Sequence, residues 1–475
     1  MDKKTLDIKA VRDGISQKLF SAEEIAKEFI REAEEKNPEI NAFISINKEE
    51  ALEGARKTDK DIESGLPAGP LCGVPMAIKD NILIEGETCT AASKLLKDYT
   101  ASYSATVIEK LKEAGATIIG KTNLDEFAMG SSTENSAFGV TRNPIDTSRV
   151  PGGSSGGSAA AVSANMALGA LGSDTGGSIR LPASFCGVVG MKPTYGRVSR
   201  FGVMAMASSL DQIGPFGKSV SDAEEIYSVI KGQDKRDSTS KNALESKISL
   251  DDPSAISIGI PEELFPTDGL DKETAEAMDE VVNSFRSLGM NIKSVSLPSV
   301  KYALSVYYIV TCAEVSTNMA RFDGIRYSRT DETYNNLRDI YEKTRGVGFG
   351  DEVKRRILLG TFVLSAGYYD AYYGKAQKVR RLIKDDFEKA FESVDVLLCP
   401  TSPTVPFKFG EKTDDPMQMY LSDIFTVPVN LAGLPAITIP TKGREGKLPV
   451  GFQLIGKQWR DNDLFEIGKF YERGN

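Results

Sequence analysis

The chain contains no histidine, one tryptophan and five cysteines among its 475 residues. Histidine is the usual general base at neutral pH and the commonest ligand of transition metals, so a histidine-activated nucleophile is excluded and a zinc or iron site is not expected. The cysteines form no C-x-x-C pair, so we expect neither a disulfide framework nor a thiolate metal site. These absences favour a reducing compartment, the cytoplasm, and chemistry that relies on another base.

The chain also lacks a surplus of basic residues and long apolar runs. Lysine and arginine number 58 against 67 acidic residues, a formal net charge of −9. Because the binding of nucleic acid needs a surplus of basic residues on one face, we do not expect this chain to provide the main nucleic-acid-binding surface. The first residues lack the apolar run of a signal peptide. Residues 150–173 carry no charge, but Ser163 and Asn165 interrupt an apolar part shorter than the roughly 20 residues of a membrane span. We expect no membrane contact.

Short apolar runs bounded by Gly, Pro or Asn follow a helical N-terminal part and alternate with helical segments. This alternation predicts an α/β fold in a single large domain. We divide the chain into an N-terminal helical layer (1–65), a core segment with the motifs below (66–232), a polar surface connection (233–256) and a second half of the same domain with a helical insertion (257–475).

Residues 152–178 read GGSSGGSAAAVSANMALGALGSDTGGS. The tract lacks the lysine of a phosphate-binding P-loop. It matches the nucleophile elbow G-x-S-x-G at Ser154 and at Ser155, but that elbow relies on histidine. A flexible linker does not explain its apolar middle. We interpret the tract as a tight loop, a small-residue helix, a strand and a second tight loop, TGGS, whose amides can converge on an anion.

A serine nucleophile without histidine needs another base, and a lysine made neutral by burial can act as one. Lys79 ends the apolar run of GVPMAIKDN, at the end of a predicted strand. On spacing alone, a lysine that points to solvent is the simpler interpretation of this position.

Three segments in order, GVPMAIKDN, PGGSSGGSAA and GSDTGGSIRLPASFCGVVGMKPTYGRVS, resemble the amidase signature family. The resemblance implies a large mixed β-sheet core with helices on both faces. It also implies that Ser178 is the nucleophile, that Ser154 is a bridging serine after a cis peptide bond, and that Lys79 is the base. Cys186 receives no catalytic role. The implied oxyanion hole consists of the backbone amides of Thr175, Gly176, Gly177 and Ser178.

Segments outside this signature, among them FAMGSSTENSAFGVTRNP and GFGDEVKRRILLGTFVLSAGYYDAYYGKAQ, resemble the tRNA-dependent amidotransferase branch of the family. The resemblance implies that this chain is a glutaminase that binds no cofactor. It also implies that the ammonia goes to a partner subunit, which binds the mischarged tRNA and uses ATP and Mg to amidate Glu-tRNA(Gln), in some organisms Asp-tRNA(Asn). A small third subunit is expected to bind both.

Free glutamine carries an α-carboxylate and an α-ammonium, which a selective pocket would hold with an arginine and an acid. The resemblance implies Arg356, Asp423 and Tyr307 for these roles, with Ser131 lining the same pocket. Arg355 is a competing candidate for the carboxylate.

Two alternatives stay open. The first is a stand-alone amidase of the same family that acts on small or aryl amides. The second is a scaffold subunit that keeps the fold without the chemistry.

Overall fold

The structure, a computed structural model, describes residues 6–244, 247–265, 269–327, 333–442, 444 and 446–474. Its centre is one sheet of eleven strands in the order β1-β3-β2-β4-β6-β5-β10-β11-β9-β7-β8. The strands are β1 Phe43–Ile46, β2 Pro75–Lys79, β3 Thr117–Thr122, β4 Gly169–Asp174, β5 Val189–Lys192, β6 Gln212–Gly217, β7 Ser257–Pro261, β8 Asn291–Val295, β9 Val396–Pro400, β10 Ala436–Pro440 and β11 Gly451–Gly456.

The sheet is mixed. Strand β2 runs parallel to both β3 and β4, and β7 runs parallel to β8 and β9, whereas β10 and β11 pair antiparallel with their neighbours. The predicted α/β fold with a mixed sheet is therefore confirmed.

Helices surround the sheet. They are α1 Ile8–Ser16, α2 Ala22–Ile40, α3 Lys48–Glu63, α4 Thr106–Glu113, α5 Gly156–Ser163, α6 Arg180–Cys186, α7 Val220–Ile230, α8 Lys272–Ser287, α9 Ala303–Asn318, α10 Leu337–Gly348, α11 Asp351–Leu364, α12 Lys375–Ala390, α13 Pro416–Leu421, α14 Val427–Ala432 and α15 Asp461–Gly474. Within the described residues, no helix has the length and apolar character needed to cross a membrane.

Both faces of the sheet are covered. Successive side chains of a strand point to opposite faces. In β9, Leu397 and Cys399 pack with α9, α12 and α14 in one core cluster, and Val396 and Leu398 pack with α7, α8 and α15 in another. The predicted two-sided cover of a single domain is confirmed.

Two strands differ from the sequence interpretation. β1 lies inside the predicted helical layer, and Phe43 pairs antiparallel with Thr122 at the sheet edge, so the layer 1–65 is not wholly helical. β6 was not predicted, because the glycine and proline residues of QIGPFG are atypical of a strand. In the structure, Pro215 of β6 lies opposite Leu171 of β4. Residues 245 and 246 of the predicted surface connection lie outside the described part of the chain.

The topology brings the sequence motifs together. β2 and β4 are parallel neighbours, with Ile78 opposite Leu171, so their carboxyl ends meet at one edge of the sheet. Lys79 is the last residue of β2, and the TGGS loop follows Asp174 at the end of β4. The loop that precedes α5 holds Ser154 and Ser155.

Candidate active site

Lys79 is buried at the end of a strand in which every residue is buried. Its Nζ makes hydrogen bonds of 2.8 Å to Ser154 Oγ and to Ser155 Oγ, and one of 2.9 Å to Ser173 Oγ. Three hydroxyl groups therefore surround the amine. The alternative of a solvent-facing lysine is wrong.

Burial lowers the pKa of Lys79 to about 7, although the charges of Asp125, Asp174 and Asp211 oppose this shift. None of these carboxylates hydrogen-bonds to Lys79 in the part of the chain that the structure describes. A large fraction of the amine is therefore neutral near pH 7, as a general base requires.

Ser154 follows a cis peptide bond from Gly153, as the resemblance implies. Position 153 has room for glycine only, because a Cβ there would lie 2.2 Å from Asp125 Oδ2 and 2.5 Å from the amide of Ser132. The amide of Asp125 donates to the carbonyl of Ser154 at 3.2 Å. The chain around Ser154 is thus fixed by close packing on both sides.

The TGGS loop is shaped by Asp174. Its Oδ1 accepts the amide of Gly177 at 2.9 Å, and its Oδ2 accepts the amide of Ile179 at 3.1 Å. Arg180 contacts both oxygens at 3.1 Å, and both side chains are fully buried. Burial alone would raise the pKa of Asp174, but the Arg180 guanidinium lowers it to about 2. A buried ion pair therefore holds the loop that presents Ser178.

The predicted oxyanion hole needs one correction. The amide of Gly177 is used by Asp174 and is not directed to a substrate. The amides of Thr175, Gly176 and Ser178 donate no hydrogen bond within the described residues, so they are the amides left for an anion. Gly177 has a φ of +147°, a conformation suited to glycine.

The two serine loops are joined through their backbones. The amide of Ser155 donates to the carbonyl of Ser178 at 3.1 Å. No hydrogen bond connects the Ser154 and Ser178 hydroxyls in the described chain, so the implied relay is not closed in this structure. Ser178 itself is buried, with 7% of its surface exposed.

Asp423 lies against the nucleophile loop. A Cβ on Gly177 would be only 3.0 Å from Asp423 Oδ1, and Ser131 Oγ donates to Asp423 Oδ2 at 2.5 Å. Oδ1 is buried without a hydrogen-bond partner in the described residues. Burial raises the pKa of Asp423 to about 7, while the Ser131 hydrogen bond opposes the shift. A buried acceptor without a partner is costly unless a ligand satisfies it.

Tyr307 lies against the same loop, at the neighbouring glycine. A Cβ on Gly176 would be 2.6 Å from its hydroxyl oxygen. Burial raises the pKa of Tyr307, with the charge of Arg356 opposing the shift, so the phenol stays neutral at physiological pH. Tyr307, Ser131 and Asp423 therefore meet at the TGGS loop.

Arg356 and Arg355 have different environments. The Arg356 side chain is 3% exposed, donates from Nε to Glu352 Oε1 at 2.7 Å, and lies over the Tyr308 ring at 5.3 Å. The Arg355 side chain is 45% exposed. Both arginines, together with Glu352 and Tyr420, line a cavity of about 240 Å³, so the cavity does not distinguish them. Burial thus distinguishes Arg356 from Arg355, which the sequence left as alternative ligands of the α-carboxylate.

Several site residues were missed by sequence reasoning. Ser173 and Ser155 contact Lys79, and Glu352 holds Arg356. Asp174 and Arg180 had a visible signal, since they are charged residues beside an otherwise uncharged tract. Within the described residues, no group of three or more Cys, Asp or Glu side chains is placed to hold a metal ion.

Comparison with known proteins identifies the family of the chain. The amidase family matches residues 24–465. A protein of Carboxydothermus hydrogenoformans, named as a glutamyl-tRNA(Gln) amidotransferase subunit, is 54% identical over 472 residues, which cover 98% of this chain and 97% of that protein. A protein of the same name from Methylacidiphilum infernorum is 53% identical over 476 residues, covering 98% and 94%.

Solved structures show the same relationship. The solved glutamyl-tRNA(Gln) amidotransferase subunit of Thermotoga maritima superposes on this chain with a TM-score of 0.79 at 43% sequence identity. The superposition covers 100% of this chain and 95% of that one. The peptide amidase of Stenotrophomonas maltophilia gives a TM-score of 0.81 at 26% identity, with coverage of 99% and 97%.

The chain belongs to the amidase family, and its fold is that of the solved members of this family. Its relatives over nearly the whole length are proteins named as glutamyl-tRNA(Gln) amidotransferase subunits. Both resemblances in the sequence are thereby confirmed.

Proposed function

We propose that this chain is the glutaminase subunit of a tRNA-dependent amidotransferase. The observation that carries the proposal is the unpartnered oxygen of Asp423 beside the TGGS loop, since an amidase of simple amides has no need to hold an ammonium group. The sequence identity of more than 50% to proteins named as subunits of such an enzyme supports the proposal.

Glutamine would bind with its α-ammonium on Asp423 and its α-carboxylate toward Arg356. Ser131 orients the Asp423 carboxylate, and the neutral hydroxyl of Tyr307 borders the side-chain amide near Gly176. Arg356 is already paired with Glu352 through Nε, which leaves its terminal nitrogens for the substrate.

The chemistry follows from the hydroxyl groups around Lys79. The neutral amine takes a proton from Ser154, which takes one from Ser178, and the Ser178 oxygen attacks the side-chain amide carbon of glutamine. The amides of Thr175, Gly176 and Ser178 stabilise the oxyanion. The proton returns through Ser154 to the leaving nitrogen, ammonia departs, and water hydrolyses the acyl-serine to glutamate.

A partner subunit would use this ammonia. We propose that it binds ATP, Mg and the mischarged tRNA, Glu-tRNA(Gln) or Asp-tRNA(Asn), and that a small third subunit completes a cytoplasmic heterotrimer. The excess of acidic residues in this chain supports such a division of labour. The five cysteines, all free and buried, support the assignment to the cytoplasm.

Replacement of Ser178 tests the proposal in the assembled enzyme. Ser178→Ala should abolish glutamine-dependent amidation of Glu-tRNA(Gln) and leave amidation with ammonium chloride intact, because only the supply of ammonia depends on Ser178. Loss of both activities would contradict the assigned role. Faster hydrolysis of aliphatic or aryl amides than of glutamine by the wild-type enzyme would favour a stand-alone amidase instead.

A further inference from the structure

Helix α11, which carries Arg356, begins without a cap of its own. The residue before it is Gly350, and no side chain of the helix start accepts an amide hydrogen there. The first amides of a helix have no partner within the helix and need acceptors from elsewhere. At α11 one acceptor comes from a distant segment, since Glu126 Oε2 accepts the amide of Gly350 at 2.8 Å.

The Glu126 carboxylate is held from its other side as well. The hydroxyl of Ser93 donates to Oε1, and the side chain is buried, with 3% of the residue exposed. Burial raises the pKa of Glu126 to about 7, and the hydrogen bonds from Ser93 and Gly350 oppose the shift. Burial of this carboxylate costs solvation free energy, and its hydrogen bond to the start of α11 offsets only part of that cost.

The segment that begins with Glu126 also leads to the ammonium side of the pocket. Five residues further along, Ser131 donates to Asp423. The intervening turn is fixed by Asp125, whose oxygens accept the amides of Thr133 at 2.9 Å and Asn135 at 3.1 Å. Glu126 is therefore a direct link between the Ser131 segment and the helix of Arg356.

We propose that Glu126 is a positioning residue that sets the separation between the two groups that hold the α-substituents of glutamine, Arg356 and the Ser131–Asp423 pair. This inference rests on the proposed function. Glu126 touches neither the substrate nor the reacting atoms, and it acts by fixing the start of α11 relative to the segment that carries Ser131. The α-carboxylate and the α-ammonium of free glutamine are attached to the same carbon, which fixes the distance between them, so a change in this separation weakens binding before it affects the proton transfers at Lys79.

Three substitutions in the assembled enzyme test the link from both sides. Glu126→Ala removes the acceptor, and Glu126→Gln keeps an amide oxygen that can still accept the Gly350 hydrogen. Gly350→Ala displaces the carboxylate without removing it, because the new Cβ would lie 2.4 Å from Glu126 Oε2.

A buried carboxylate elsewhere provides the matched control. Asp222 accepts the Ile8 amide at 3.0 Å and the Ser219 hydroxyl at 2.8 Å, the same kinds of donor, and it lies on α7 against α1, which contribute nothing to the site. Asp222→Ala therefore reproduces the loss of a buried carboxylate without the proposed effect on the pocket.

Steady-state glutaminase kinetics give the first readout. Glu126→Ala and Gly350→Ala should raise KM for glutamine about tenfold with kcat changed less than about threefold, and Glu126→Gln should stay within about threefold of wild type in both. Asp222→Ala should leave KM unchanged. A fall in kcat at constant KM, or equal changes in the Glu126 and Asp222 variants, would overturn the inference.

Hydrogen exchange of residues 349–357, followed by mass spectrometry, gives the second readout and needs no turnover. Exchange there should accelerate in Glu126→Ala and Gly350→Ala but not in Asp222→Ala. Unchanged exchange would overturn the link even if activity falls. If the wild-type enzyme does not hydrolyse glutamine, both the proposed function and the assignment of the pocket are wrong. If the wild-type enzyme is active and the variants behave like it, only the inference about Glu126 is wrong.

Discussion

The Nζ of Lys79 lies 2.8 Å from the Oγ of Ser154, in a site from which solvent is excluded. This contact joins the end of one strand to the loop before a helix, and it gives a chain without histidine a base whose pKa is near 7. The nearby Ser178 is presented by a loop that a separate buried ion pair shapes. Different contacts thus fix the base and the nucleophile loop, and the amide of Ser155 joins the two regions through the carbonyl of Ser178.

Replacing the base should abolish hydrolysis. Lys79→Met keeps most of the volume but has no proton acceptor of comparable strength, and Lys79→Arg stays protonated, so both should reduce kcat for glutamine about a thousandfold or more. The measurement is glutaminase turnover, with thermal unfolding to verify the fold. Lys110→Met is the control, since Lys110 is a half-buried lysine that donates to the carbonyls of Ile230 and Lys231. Substantial turnover in Lys79→Arg would contradict the role of a neutral amine.

The pH dependence follows from Lys79 and Asp423. Lys79 acts as a base only above its pKa of about 7, and Asp423 holds an ammonium only when it is ionised, also above about 7. Both requirements make kcat/KM rise with pH, so the logarithm should climb with a slope between about one and two below neutrality and then level off.

Asp423→Asn separates the two groups. This variant should raise KM and reduce the slope of the acid limb to about one, because only Lys79 then titrates. The measurement is kcat/KM across the acid and neutral range, where the glutamine amino group stays protonated. A wild-type activity that falls as pH rises through neutrality would contradict both assignments.

The neighbouring arginines form a matched pair. Arg356→Met should raise KM for glutamine at least about tenfold through loss of the carboxylate contact, whereas Arg355→Met should change it less than about twofold, because Arg355 is on the surface. Initial rates over a range of glutamine concentrations distinguish the two. The reverse order of effects would assign the carboxylate to Arg355.

The sequence predicted the parts of this molecule that depend on local pattern. Buried strands such as β2 and β4, the small-residue helix α5 and the loop before Ser178 follow from apolar runs and glycine spacing. β6 was missed because its glycines and Pro215 are tolerated only through pairing with β4. Such pairing is a property of the sheet and leaves no local signal.

The burial of individual charged side chains was the property that the sequence did not reveal. Nothing in GVPMAIKDN shows that three serine hydroxyls surround Lys79, and nothing in EVKRRIL separates Arg356 from Arg355. Both outcomes depend on segments far apart in the chain. The use of the Gly177 amide by Asp174 is likewise a detail of loop geometry that the motif alone left undetermined.

Covalent labelling of the nucleophile tests the central claim most directly. The assembled enzyme is incubated with a glutamine analogue that carries a diazomethyl ketone in place of the side-chain amide, which alkylates a nucleophile with loss of dinitrogen, and the modified residue is located by peptide mass spectrometry. We predict a single adduct on Ser178 that glutamine prevents and that Lys79→Met slows. An adduct on Ser154, Ser155 or Cys186 with Ser178 unmodified would contradict the account.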